Sequence, residues 1–148
     1  MSTTDKRNNK TYLAIDYGKR RVGLAKSDPS GLIASALETI EVKSNREALD
    51  RLSGFIAEYQ PAALIIGYPL NEDGSTNDAC ENIDRFIEKL KNIYDGPIHK
   101  VDEYGTSEEA ASIIHVHGQQ VGRKKKKKKR VDRLAAVIIL QRFLDEQN

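Results

Sequence analysis

Cysteine is almost missing from this 148-residue chain, where Cys80 stands alone. One thiol excludes a disulfide or a cysteine-built zinc cluster within the chain. Long apolar runs are missing too. No stretch approaches the ~20 residues that span a bilayer, so no membrane partner is expected. The opening stretch, 1–10, is polar and does not read as a secretory signal. It reads as a disordered lead-in to a single domain over 11–148. There is no internal repeat. With 39% hydrophobic and 31% charged residues, the composition is that of a globular, cytoplasmic protein.

A clear charge surplus is also lacking. The 24 Lys and Arg nearly balance the 22 Asp and Glu, for a net of +2. That balance hides a division. Arg123, Lys124, Lys125, Lys126, Lys127, Lys128, Lys129 and Arg130 form one unbroken basic run. Outside it, 16 basic residues face 22 acidic ones, a net of −6. So dense a basic segment points to a polyanion such as nucleic acid. A detached solvated tail is the alternative, but an apolar helical pattern follows the run at once.

Along the chain, Tyr12 to Ile15 reads as a buried strand running into Asp16. Val22 to Lys26 and Leu37 to Val42 read as two more strands. Their hairpin-like connections make the three antiparallel. Ser44 to Glu47 is a capping box. Behind it Leu49, Leu52, Phe55, Ile56 and Tyr59 recur at helical spacing, and Pro61 stops the helix. Ala62 to Ile66 is a continuous apolar run, suited to a central strand covered on both faces. The breakers from Gly67 to Gly74 predict a loop. A second helix follows, with Ala79, Ile83, Phe86, Ile87, Leu90 and Ile93 as its stripe and Cys80 as a buried member. Ile98 to Val101 is a further strand ending at Asp102 and Glu103. Thr106 to Glu109 is another capping box. Gly118, Gly122 and the basic run predict a loop, and Val131 to Leu144 the last helix. The order implies an α/β fold, a mixed five-stranded sheet flanked by helices.

Chemistry concentrates at strand ends. Asp16 follows one apolar strand, and Asp102 and Glu103 end another. Asp132 opens the last helix beside the basic run. Ligands of open α/β sheets bind at the carboxyl ends of strands. Ala135 and Ala136 are small enough to bring the helix close to that edge. Clustered carboxylates repel unless a cation neutralises them. Mg²⁺ or Mn²⁺ takes such oxygen ligands, and a pair of ions can drive phosphodiester cleavage. Each acid also has a plainer explanation. Asp16 suits the turn before Gly18, Asp132 suits a helix N-terminus, and Glu103 suits the surface.

Four segments resemble the YqgF/RuvX family, which is similar to the RuvC-type Holliday junction resolvases. They are Asp16 to Asp28, Gly67 to Ser75, Val101 to Glu103 with Thr106 and Ala110, and Val131 to Gln141. The match runs from about Tyr12 to Leu144, with the motifs in order. The resemblance implies an RNase H-like fold and nucleic-acid cleavage, foremost 5′-end maturation of the 16S ribosomal RNA precursor, with ribosomal particles as further partners. It places the acidic positions on Asp16, on Asp102, Glu103 or both, and on Asp132. One position departs from the family pattern. Its third motif usually continues with arginine, where this chain has Tyr104. Tyrosine cannot grip a phosphate bidentately.

The expected arrangement has Asp16 bridging two ions, with Glu103 and Asp132 each holding one. Strand alternation sends Asp102 and Glu103 to opposite faces, and likeness to the nuclease fold favours Glu103. Arg21, Thr106 and the run from Arg123 to Arg130 are the candidate substrate contacts, although Thr106 is first a helix cap. His115 and His117 have no further His or Cys nearby and read as a solvated face. Three other functions compete. A four-way DNA resolvase uses the same site and would normally be a dimer, against the monomer or weak homodimer expected here. A non-catalytic nucleic-acid-binding or transcription-associated factor would not need the acids. An actin-like ATPase needs two such domains and a phosphate-binding pattern that is absent.

Overall fold

Backbone pairing places β1 (Tyr12–Asp16) at the centre of a five-stranded sheet. The computed structural model describes residues 11–103 and 124–147, with backbone alone for 124–130 and 132. The expected lead-in, the Thr106 helix, Tyr104, the 118–122 loop and Arg123 lie outside the described residues. β2 (Arg21–Ser27) pairs antiparallel with β1, and β3 (Ala34–Glu41) antiparallel with β2. β4 (Ala63–Tyr68) runs parallel to β1 on its other side, and β5 (Ile98–Asp102) parallel to β4. The strand order is β3-β2-β1-β4-β5. The expected mixed sheet is therefore present, with α1 (Asn45–Tyr59), α2 (Asp78–Leu90) and α3 (Lys124–Gln147) packed against it.

Side-chain size divides the two faces. Leu13, Ile15, Val22, Leu24, Ile40, Leu64 and Ile66 point one way, onto Leu52 of α1 and Ile83, Phe86 and Leu90 of α2. Ala14, Ala25, Ala63 and Ile65 point the other way, onto Ala136, Ile139, Leu140 and Phe143 of α3. Alternation at period two makes this division possible. Alanines on both sides of the second interface, with Ala135 and Ala136 fully buried, bring α3 close to the strands. The close approach expected from these alanines is what the structure has.

Local signals set the helix ends. The Ser44 hydroxyl accepts from the Glu47 amide at 3.1 Å, and Glu47 Oε1 accepts from the Lys43 amide at 2.8 Å. This is the capping box, reaching one residue further back than usual. Gln60 closes α1 in the left-handed region at φ 44°, just before Pro61. Asn77 Oδ1 caps α2 by accepting from the Cys80 amide at 3.0 Å. That cap sets the helix phase, so Cys80 is buried and Ala79 is exposed, the reverse of its expected place in the stripe.

Four boundaries differ from expectation, and the first is that α2 ends at Leu90, so the expected stripe residue Ile93 lies in the turn beyond it. β3 begins at Ala34, three residues before Leu37. β4 continues through Gly67 and Tyr68, which pair with Val101 and Asp102 instead of opening a loop. Backbone pairing extends a strand where side chains give no sign of it. The largest difference is that α3 starts at Lys124, so the basic run from Lys124 onward is helical and not a loop. Lysine and arginine are good helix formers, and no Gly or Pro interrupts the stretch from Arg123 to Gln147.

The β2–β3 turn rests on one carboxylate. Asp28 accepts from the amides of Ser30, Leu32 and Ile33 at 3.2, 2.9 and 2.8 Å, and from the Ser30 hydroxyl. The serine hydroxyl first, then the Ile33 amide, holds its carboxyl well below the ordinary value. Gln141 of α3 clips the same loop, accepting from the Ala34 amide at 3.0 Å and donating to the Leu32 carbonyl at 3.1 Å. A carboxyl depressed in the fold stabilises it above the ordinary value of 3.8, and that contribution fades as pH falls below it. Asp28→Asn should therefore melt below wild type at pH 7, with the difference narrowing below pH 3.8. A gap constant across that range in a pH series of melting curves would contradict this role for Asp28.

Candidate active site

The site grows from the carboxyl edge of the three parallel strands. Asp16 is the last residue of β1 and pairs with Gly23 of β2. On the other side Ile15 pairs with Ile66 of β4, so the next step brings Gly67 level with Asp16. Both neighbours of Asp16 across the sheet therefore lack a side chain. Tyr17 follows, its ring stacked on Phe86 at 4.3 Å and its hydroxyl bonded to Asn45. Those contacts fix the chain immediately after Asp16.

β5 brings the second acid. His99 lies against Phe143 of α3, with ring centroids 5.2 Å apart. Lys100 turns to the opposite face, where it bonds Asp84 of α2 at 2.7 Å. Tyr68 donates to the same carboxylate at 2.8 Å, and burial first, then this bond, pushes its hydroxyl up to about 12. Continuing the alternation, Val101 and Glu103 face α3 while Asp102 faces away and is exposed. The Glu103 amide donates to the Tyr68 carbonyl at 3.2 Å, one step past the strand. Its side chain then crosses β4 above Gly67 and shares a hydrogen bond with Asp16.

The electrostatics of this contact are tense. Burial pushes the Glu103 carboxyl up, the bond to Asp16 pulls it down, Asp102 raises it and Arg142 lowers it. Two carboxyl groups share a hydrogen bond only while one of them holds a proton. Hard divalent cations take the same oxygen donors, so the pair suits a cation. Among the described residues there is no cluster of three or more potential metal ligands.

The third expected acid, Asp132, lies on α3. Ile139 Cδ1 packs over Gly67, and Phe143 meets Tyr12 edge-on at 5.2 Å. The helix therefore starts beyond the carboxyl edge and runs back across the sheet. Position 132 precedes Ile139 by two turns, roughly 10 Å along the axis, on the side of Asp16 and Glu103. Arg21 opens β2 two residues beyond Gly23, on the same face as Asp16. Lys124 to Arg130 form the first turns of α3. Thr106 lies outside the described residues.

Sequence reasoning missed three contributors. Gly67 looked like a loop breaker. Arg142 was given no role, yet its Nη1 donates to the Asp102 carbonyl at 3.1 Å beside Glu103. Asn77 braces the loop after β4, donating to the Pro69 carbonyl at 2.8 Å and to Asn71 Oδ1 at 2.9 Å. A helix-capping asparagine before Asp78 was a readable signal for the last of these.

A mixed sheet in this order, with helices on both faces, defines an RNase H-like α/β fold. Thermus thermophilus RuvC, solved with a Holliday junction substrate, matches with a TM-score of 0.54 at 13% identity, covering 93% of this chain and 94% of that one. The Fowlpox virus resolvase, solved with Holliday junction DNA, matches at 0.56 and 9% identity, covering 93% and 98%. The chain belongs to the RuvX family, described as Holliday junction resolvase, whose model matches residues 10–146. A relative from Chlorobium phaeobacteroides (strain BS1), named "Putative pre-16S rRNA nuclease", is 38% identical over 138 residues, 92% of each chain. One of the same name from Thermoanaerobacter pseudethanolicus is 37% identical over 135 residues, 91% of this chain and 96% of that one.

A buried carboxyl with a raised value destabilises the fold as pH climbs past its ordinary 4.5, because the folded state then holds a proton the unfolded chain releases. In cation-free buffer Glu103→Gln should thus melt above wild type at pH 8, and the advantage should shrink toward pH 4.5. Melting curves in which the variant is less stable at pH 8 would contradict a raised Glu103 carboxyl.

Proposed function

We propose that this protein is a divalent-cation-dependent nuclease that trims the 5′ end of the 16S ribosomal RNA precursor. The observation that carries this reading is the Glu103 side chain meeting Asp16 at the carboxyl edge of the sheet. The names of the relatives support the choice of substrate. Asp16 and Glu103, joined by Asp132 from α3, would hold Mg²⁺ or Mn²⁺. When bound, such ions activate a water and neutralise charge on the phosphodiester. The chain's own residues do the rest. Asp16, between two glycines, leaves the phosphate a close approach to the strand ends. Arg21 on the same face offers a phosphate contact. Arg142 tethers the end of β5 through the Asp102 carbonyl and keeps Glu103 aimed inward. Asp102 itself, turned to the other face, is left a role outside the cation site.

The basic turns of α3 supply affinity for the nucleic-acid backbone without reading sequence. As the first turns of α3, they lead directly into the segment bearing Asp132. Tyr104 replaces the family arginine, and these lysines take over its attraction for phosphate. No helix among the described residues is long and apolar enough to cross a membrane. The proposed function places its work on ribosomal particles in the cytoplasm, as a monomer or weak homodimer.

A second reading is supported by the family description and by the two resolvases solved with junction DNA. It makes four-way DNA the substrate of the same site. Incubating the protein with 16S rRNA precursor and with a synthetic four-way junction, each with and without Mg²⁺ and Mn²⁺, separates the two. Cation-dependent shortening of the RNA alone supports the first, and paired cuts in the junction alone support the second. Losing one outer partner of a metal ligand costs about 10- to 100-fold, so Asp16→Asn, which alters a ligand itself, should lower the rate by more than about 100-fold. An active, folded Asp16→Asn enzyme would remove the cation mechanism. Replacing Lys124 to Lys129 with glutamine should weaken binding and flatten its salt dependence, by about 0.7 in log–log slope for each single-strand phosphate no longer neutralised. An unchanged slope in a salt titration would assign the run another task.

A further inference from the structure

Glu103 and Asp16 do not sit on neighbouring strands. β4 lies between β1 and β5, so one side chain must pass over a residue of β4 to reach the other. That residue is Gly67. A Cβ at position 67 would stand 2.9 Å from Glu103 Oε2, 3.0 Å from its carboxyl carbon and 2.6 Å from Ile139 Cδ1. The first two contacts belong to the acid that reaches Asp16.

Glycine is costly in a strand, where it adds backbone freedom to the unfolded chain and packs nothing. Position 67 is the last but one residue of β4, an inner strand of the sheet, paired with Val101, and follows the fully buried Ile65 and Ile66. Backbone conformation does not call for glycine there. Among the described residues the glycines with positive φ are Gly31 and Gly74, and not Gly67. The remaining explanations are the two side chains above it, Ile139 and Glu103.

We infer that Gly67 is a positioning residue, whose missing side chain is the passage by which the Glu103 carboxyl crosses β4 to Asp16. Ile139 alone does not account for it, since a shorter residue on α3 would relieve that contact. The atoms that a methyl group would strike are ends of side chains and not backbone. An added methyl therefore leaves the sheet intact and displaces the carboxyl group. The inference deepens the cation-site reading of Asp16 and Glu103 and rests on it for its purpose, though not for its geometry.

The test uses the full chain and four proteins, all carrying Ile139→Val to remove the Cδ1 contact. They have Gly67 or Gly67→Ala, each with Glu103 or Glu103→Ala. Melting in cation-free buffer reads the geometry. Gly67→Ala should shift the melting temperature by different amounts with Glu103 and with Glu103→Ala, because only the first has a carboxyl to displace. An equal loss in both backgrounds overturns the inference. Should Gly67→Ala fold only with Glu103→Ala, the inference is upheld, and failure in both backgrounds overturns it. Calorimetric titration with Mn²⁺ reads the purpose. Gly67→Ala should weaken binding at least ten-fold where Glu103 is present and change little where it is Ala. If the parent protein binds no Mn²⁺ while the melting losses differ, the cation reading falls and the passage stands.

Discussion

The Asp16 and Glu103 carboxyl groups meet in a partly buried place that pushes Glu103 above its ordinary value, and the surrounding structure follows from that. Like charges in a partly buried place repel strongly. Something must hold them there, and backbone does most of it. β1 ends on Asp16. The ladder between β4 and β5 runs one bond further, to the Glu103 amide. Arg142 adds a positive charge and a tether to the Asp102 carbonyl. None of these groups can move without disturbing a paired strand or a packed helix, so the acids stay together at the cost of some stability. That trade is common where a fold is built around a ligand.

The two faces of the sheet divide the labour. The face under α1 and α2 carries Leu13, Ile15, Leu64, Ile66 and Phe86 and holds the larger share of bulky buried side chains. The face under α3 carries alanines at Ala14, Ala25 and Ala63. Small residues lose apolar burial but shorten the distance from helix to sheet. The bulky face provides the cohesion, and the lean face lets α3 come close to the acids. The same logic continues at the edge, where Gly23 and Gly67 flank Asp16.

Much of this was legible in the chain. Apolar runs and alternation revealed β1, β2, β4 and β5, and capping residues revealed α1. Alternation reduced Asp102 and Glu103 to a choice, but which face α3 would cover depends on pairing between distant segments. The insertion of β4 between β1 and β5 is likewise non-local, so the need for a gap at Gly67 was hidden. Tyr68 extends β4 through backbone bonds that no side-chain pattern announces. The basic run was misjudged because its charge suggested a solvated loop, whereas lysine's helix preference and an unbroken stretch to Gln147 decided otherwise. Arg142 carried no signal, because a lone arginine on a helix is ordinary.

The sequence distances within the site have a consequence in time. Asp16, Glu103 and Asp132 lie at the end of the first strand, just past the last strand and in the last helix of the described fold. Contacts between remote segments are slow to form, because each closes a large loop. Until α3 docks, Ala14, Ala25, Ala63 and Ile65 lack the helix that buries them. A growing or half-folded chain thus carries its acids on separate, unassembled pieces. On the proposed function, competence to cut nucleic acid would then arrive with the docking of α3 on the sheet.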